Sequence, residues 1–224
     1  MSDNDRQIMT HIDDTIARYP ALAACRADME NAYLLLKETY ENGHQLLVAG
    51  NGGSAADSEH IAGELMKKFK LDRPVPEDFA KKLQDLDDVR GQKLASCLEQ
   101  CLTAIPLVAH EALTTAFLND VDAEGVFAQQ LYGYGKSGDA FIGISTSGNS
   151  ENIINAAICA RAMGIKVIAL TGRTGGKLAP FADIAIKVPE TETYLIQELH
   201  LPVYHCLCMM LEEKFFGAEQ TPGT

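Results

Sequence analysis

Several signatures of common function classes are missing from this chain. The chain's one Gly-Lys-Ser run, Gly135-Lys136-Ser137, has Gln130 where the lysine-bearing loop of a nucleoside triphosphate site needs its first glycine, so that loop is excluded. Basic residues are scarce: 19 Lys and Arg stand against 31 Asp and Glu, and the net charge of −12 argues against a nucleic-acid backbone as partner. No apolar run approaches the roughly 20 residues that span a bilayer, so no membrane association is expected. The six cysteines (Cys25, Cys97, Cys101, Cys159, Cys206 and Cys208) show no zinc-ribbon spacing, and Met1 opens a polar segment rather than a signal peptide. Reduced thiols in a cytoplasmic protein are the expectation.

What remains is ordinary globular material with 46% hydrophobic and 22% charged residues, enough for a sizeable core in 224 residues. Within it, two short polar stretches have the same layout. Gly50-Asn51-Gly52-Gly53-Ser54 follows the apolar run Leu46–Ala49 and precedes a helical pattern carrying His60 and Glu64. Ser145-Thr146-Ser147-Gly148-Asn149-Ser150 follows Ala140–Ile144 and opens onto another helix. A strand feeding a helix start through such a turn leaves free amides and the positive end of the helix dipole pointing at a ligand.

Strand and helix patterns alternate along the chain. Strands are expected at 45–49, 104–109, 139–144, 166–170 and 182–188. Helices are expected at 55–70, 150–163 and 192–216, and a further helical stretch is expected to open at Asn119-Asp120 and run through Tyr134. This predicts an α/β three-layer sandwich around a five-stranded parallel sheet, one domain in all. Two helices within residues 4–42 precede the first strand. They are more than a small sheet needs, and are expected to pack against another subunit. Residues 75–101 read as one or two amphipathic helices inserted beyond the pattern, serving as a lid, an interface or a passive surface.

The four hydroxyls of Ser145, Thr146, Ser147 and Ser150 suit the oxygens of a phosphate, although one or two of them would serve equally as a helix cap. His60 and Glu64 are four apart and share a helix face, where a surface hydrogen bond is the plainer reading and convergence on a metal or proton the sharper one. Gln197 and His205, eight apart, share a face of the last helix.

Together, Gly50–Ser54, His60-Ile61-Ala62-Gly63-Glu64-Leu65, Ser145–Ser150 and Ile196-Gln197-Glu198-Leu199-His200 with His205 resemble the sugar isomerase (SIS) domain family, and within it the phosphoheptose isomerases. The resemblance implies a cytoplasmic homotetramer that converts D-sedoheptulose 7-phosphate to D-glycero-D-manno-heptose 7-phosphate through a cis-enediol, in heptose biosynthesis. It implies phosphate held by Ser145, Thr146, Ser147 and Ser150. The sugar would be lined by Asn51, Gly52, Gly53, Glu64, Asn119, Asp120 and Gln197. It implies a zinc ion on His60, Glu64, Gln197 and His205, no nucleotide cofactor, and Glu64 and His205 as catalytic base and acid. Gly63 departs from the pattern, standing where members place a second acidic residue. Two other readings stay open: a non-catalytic SIS protein that binds a partner such as a replication initiator, and an isomerase or sensor for another phosphosugar.

Overall fold

The computed structural model describes residues 7–217. Five strands form one wholly parallel sheet: β1 (Leu46–Ala49), β2 (Ala104–Pro106), β3 (Ala140–Ser145), β4 (Lys166–Thr171) and β5 (Ile184–Lys187), in the spatial order β2-β1-β3-β4-β5. The central strands β1 and β3 are buried along their whole length, as expected for short apolar runs covered on both faces. Pro106 is tolerated because β2 lies at the sheet edge, where one side of the strand needs no ladder partner.

The helices are α1 (Thr10–Arg18), α2 (Arg26–Glu41), α3 (Gly53–Met66), α4 (Glu77–Leu86), α5 (Asp88–Cys97), α6 (Glu111–Asp120), α7 (Val126–Tyr134), α8 (Glu151–Ala162) and α9 (Thr193–Phe216). Two apolar cores lie on opposite faces of the sheet. One joins Ile12, Met29, Tyr33, Leu36, Ile61, Leu65, Val203 and Leu207 from α1, α2, α3 and α9 to the strands. The other joins Phe127, Leu131, Ile153 and Ala157 from α7 and α8. The three-layer expectation is met.

Two expectations are corrected. The apolar stripe of α1 and α2 is not spare: Ile12, Leu22, Met29, Tyr33 and Leu36 are buried in the chain's own core. The sheet face they cover is wide enough to need them beside α3 and α9, so that stripe is not open to a neighbouring subunit. And no helix opens at Asn119-Asp120. Instead α6 ends there and α7 begins at Val126. The His110 ring caps α6 by accepting from the Leu113 amide, so the helix starts at Glu111, eight residues before Asn119. Its apolar residues are buried too little to write a clear periodic stripe, since α6 has no buried position.

The segment from 75 to 101 forms two antiparallel helices, α4 and α5, and only Gly91 among their residues is buried. The pair is anchored at its base. Pro74 bridges to Glu99, and the Gln100 amide donates to the Arg73 carbonyl at 2.7 Å. Arg73 is itself wholly buried. It pairs with Glu212 on α9 and donates to the carbonyls of Leu65 at 2.9 Å and Glu64 at 3.2 Å. These carbonyls sit at the end of α3, where no further turn of helix donates to them, and Leu65 O also accepts from the Leu102 amide at 3.0 Å.

Candidate active site

Because β1 and β3 are neighbours while β2 lies on the far side of β1, the chain reverses its direction of growth between them. At such a point the loops leaving adjacent strands part and open a crevice at their carboxyl ends. Both polar turns fall there. They are tied together directly: Asn51 and Asn152 exchange side-chain amide hydrogen bonds at 2.9 Å, linking the first turn to the opening of α8.

The serine turn is rigid. The Gly148 amide donates to Ser145 O at 3.0 Å, and the Thr146 carbonyl accepts from Gly172 at 2.9 Å. Asn149 Oδ1 accepts from the Lys177 amide at 3.1 Å, so the loop after β4 braces it from outside. Gly148 has φ +67°, and a β-carbon there would lie 2.2 Å from the Gly175 carbonyl oxygen, so only glycine fits. Ser150 occupies the N-cap position of α8, yet its side chain makes no cap bond. Its hydroxyl instead meets Ser145 Oγ at 3.0 Å. A plain cap would use that hydroxyl on the helix amides. Here those amides and the Ser145 and Ser150 hydroxyls are left for a ligand, with Thr146 half-buried and Ser147 exposed beside them.

The second cluster stands on α3 and α9. His60 Nε2 lies 3.1 Å from Glu64 Oε1 and 3.4 Å from His205 Nε2. The two rings meet edge to face, and His205 also packs on Phe69. Burial, and next the neighbouring His60, push the His205 imidazole below its ordinary range. Glu64 is mostly buried, and its Oε2 accepts no hydrogen bond, with the Lys67 ammonium 3.6 Å away. Gln197 lies two turns before His205 on α9, close against the start of α3: a β-carbon on Gly53 would come within 2.6 Å of Gln197 Nε2. Gly63 faces open space, so the missing second carboxylate leaves no local gap.

The structure thus brings together His60, Glu64 and His205, sets Gln197 against Gly53, and joins Asn51 to the serine-turn helix. It does not bring Asn119 and Asp120 in by any contact. They hydrogen-bond each other at 2.8 Å at the exposed end of α6.

Sequence reasoning missed Asp57, Tyr204 and Asn152. Tyr204 OH lies 3.0 Å from His60 Nδ1 and donates to Asp57 Oδ1 at 3.2 Å. Asp57 was legible, lying three residues before His60 on the same face of α3. Tyr204 reads as a core aromatic, and only the packing of α9 on α3 reveals it. Burial, then the adjacent Asp57 charge, drive the Tyr204 phenol well above its ordinary range, so it stays protonated.

Whether these residues suit a divalent metal follows from donor spacing. Among the described residues, no three His, Cys, Asp or Glu side chains already converge on one metal position. The pairwise separations of 3.1 and 3.4 Å nevertheless match the ligand–ligand edge of a tetrahedral zinc site, about 3.3 Å for bonds near 2.0 Å. Two imidazoles and a carboxylate are zinc donors, so the residue types fit that metal.

The SIS domain family matches residues 18–101 and 99–172 of this chain. The chain belongs to the SIS domain family. Similar proteins include the phosphoheptose isomerase of Akkermansia muciniphila, 37% identical over 199 residues, covering 89% of this chain and 92% of that protein. The phosphoheptose isomerase of Aneurinibacillus thermoaerophilus is 42% identical over 179 residues, covering 80% and 77%. The solved phosphoheptose isomerase of Neisseria gonorrhoeae superposes with a TM-score of 0.70 at 31% identity, covering 92% of this chain and 98% of that one. The SIS match ends at Gly172, so Gln197 and His205 lie beyond it.

Proposed function

We propose that this SIS protein is an aldose–ketose isomerase that interconverts D-sedoheptulose 7-phosphate and D-glycero-D-manno-heptose 7-phosphate, in heptose biosynthesis. The observation that carries this reading is that α3, which carries the mostly buried Glu64 beside the His60–His205 pair, opens from a turn whose Asn51 is tied to the start of α8, where the Ser150 hydroxyl is not consumed by capping. Its phosphoheptose isomerase relatives support the same substrate class.

In this reading Ser145, Thr146, Ser147, Ser150 and the first amides of α8 hold the phosphate. Asn51, Gly52, Gly53 and Gln197 line the sugar. Glu64 takes a proton from the carbon beside the carbonyl and returns it to the neighbouring carbon. His205, neutral near pH 7, gives a proton to the carbonyl oxygen and removes one from the adjacent hydroxyl. The intermediate between the two transfers is a cis-enediol. Asn119 and Asp120 keep a role only if α6 of another copy reaches the site, in keeping with a homotetramer.

A zinc ion would be held in the same cluster by His60, Glu64 and His205 with the Gln197 amide oxygen, and while all four hold it Glu64 and His205 are not free to transfer protons. When bound it would polarise the sugar oxygens as a Lewis acid. A cytoplasmic location belongs to the proposal and is supported by the six unpaired cysteines. No helix among the described residues is long and apolar enough to cross a membrane.

The test is direct. Wild-type protein incubated with sedoheptulose 7-phosphate should yield the aldose by NMR, and Glu64→Gln should lose at least about 10³-fold in turnover, the order of a missing general base, while melting at the wild-type temperature. Absence of conversion with and without zinc would overturn the isomerase reading and favour a partner-binding SIS protein. Unchanged turnover in Glu64→Gln would remove Glu64 as the base.

A further inference from the structure

We infer that Asp57 and Tyr204 form a positioning relay that fixes the proton of His60 on Nδ1 and leaves its Nε2 lone pair facing Glu64 and His205. The argument is a count of protons. Tyr204 has one hydroxyl proton. Its oxygen lies 3.2 Å from Asp57 Oδ1 and 3.0 Å from His60 Nδ1. An ionised carboxylate only accepts hydrogen bonds, so the phenol proton goes to Asp57. The phenol oxygen can then only accept from His60, and the proton on that side of the ring must sit on Nδ1. A neutral imidazole carries one proton, so Nε2 is bare.

The groups around the ring agree. Asp57 Oδ2 accepts from no group among the described residues, so its charge is directed through Oδ1 alone. On the other side, His60 Nε2 faces Glu64 Oε1 at 3.1 Å and His205 Nε2 at 3.4 Å. Without the relay, the stable arrangement would be the opposite one: Nε2–H donating to Glu64, with the carboxylate satisfied and less basic. The relay denies Glu64 that donor. It keeps the carboxylate available for a substrate proton, and leaves the bare His60 Nε2 to accept from His205 Nε2, which can carry the acid's proton. Tyr204 also braces both imidazoles edge-on, with ring centroids 5.5 Å from His60 and 5.1 Å from His205. An ionisable group behind a ring nitrogen typically sets the tautomer of the nitrogen in front.

The functional value of the relay rests on the isomerase reading, but the tautomer does not. It can be measured on the metal-free, substrate-free protein. Histidine labelled with ¹⁵N reports its tautomer in long-range ¹H–¹⁵N correlation spectra. At pH 8.5, about two units above the ordinary imidazole range, wild-type His60 should show Nδ1–H with a bare Nε2. Tyr204→Phe keeps the ring that packs on both histidines and removes only the hydroxyl. It should move His60 to the Nε2–H form and weaken zinc binding, measured by chelator competition, by about 10- to 100-fold. Asp57→Asn should shift the tautomer in the same direction by a smaller amount. Melting temperatures check that both variants fold. An Nε2–H tautomer in the wild type, or the same tautomer in wild type and Tyr204→Phe, would overturn the inference. If the protein proves not to isomerise sugars, or binds no zinc, the tautomer spectra still decide the relay.

Discussion

The buried pair Arg73–Glu212 offers the sharpest link between stability and the site. Both side chains are sealed from solvent, at 0% and 1% exposure. Glu212 accepts from Arg73 Nε at 2.9 Å and from the amides of Phe69 and Lys70 at 2.8 Å each. Arg73 donates to Leu65 O and Glu64 O, and its guanidinium lies 4.5 Å over the Phe216 ring. Glu212→Gln leaves the guanidinium buried with no counter-charge. Arg73→Met leaves the carboxylate facing two amides alone and strands the Glu64 carbonyl at the end of α3, while Leu65 O keeps the Leu102 amide. Breaking a buried pair from one side costs about 3–5 kcal/mol. Against a total of about 5–15 kcal/mol, that removes a large part of the folding free energy. The double variant Arg73→Met/Glu212→Gln should cost clearly less than the sum, because no unpaired charge remains. Urea unfolding at one fixed protein concentration measures all three. Turnover adds a second readout. Arg73 holds the backbone of Glu64, so Arg73→Met should lower turnover about 10²-fold under conditions where the protein is still folded, the order expected for about 1 Å of misplacement. Single-variant losses below about 1 kcal/mol, or strict additivity, would refute the account of this pair. Full turnover in folded Arg73→Met would refute its link to Glu64.

Two further outcomes are expected. His200 is fully buried, neither ring nitrogen has a hydrogen-bond partner although the Thr171 backbone offsets a little, and burial pushes its imidazole down to about 4 from an ordinary 6.5. The folded state therefore refuses a proton that the unfolded state takes up. Its contribution is complete above pH 6.5 and is lost as pH falls towards 4, by up to about 3 kcal/mol. His200→Leu should flatten the unfolding free energy between pH 6.5 and 5 relative to wild type, and an unchanged slope would show that His200 does not cause it. At the serine turn, Gly148→Ala forces a left-handed backbone on alanine and sets its methyl group against the Gly175 carbonyl. It should cost about 1–3 kcal/mol and raise KM for the phosphosugar with a smaller effect on kcat. A wild-type KM would remove this turn as the phosphate grip.

Much of the architecture was legible because it follows from local patterning. Runs such as Ala140–Ile144 and Lys166–Leu170, each followed by a turn and a helical period, can only make buried parallel strands with crossover helices. The error at Asn119-Asp120 arose where that patterning fades, on a helix with no buried face and an unusual histidine cap. The error over α1 and α2 has a different cause: periodicity says that a stripe is buried, not by whom. At the site, the turn at 145–150 and the His60–Glu64 pair were readable from spacing along one element. Asp57–Tyr204 and Arg73–Glu212 were not, because each joins residues more than 130 positions apart.

By itself, the sequence determined the element order, the parallel sheet, the two turns at strand ends and the chemical types gathered near them. These depend on neighbours within a few residues, where backbone geometry and side-chain period leave little choice. The tertiary structure alone decided that the two turns are tied together through Asn51 and Asn152, and that the Ser150 hydroxyl does not cap its helix. It also decided which face of His60 carries a proton. Such facts depend on the packing of distant elements, since hydrogen bonding acts only within about 3 Å, and no local pattern encodes which remote oxygen will arrive there.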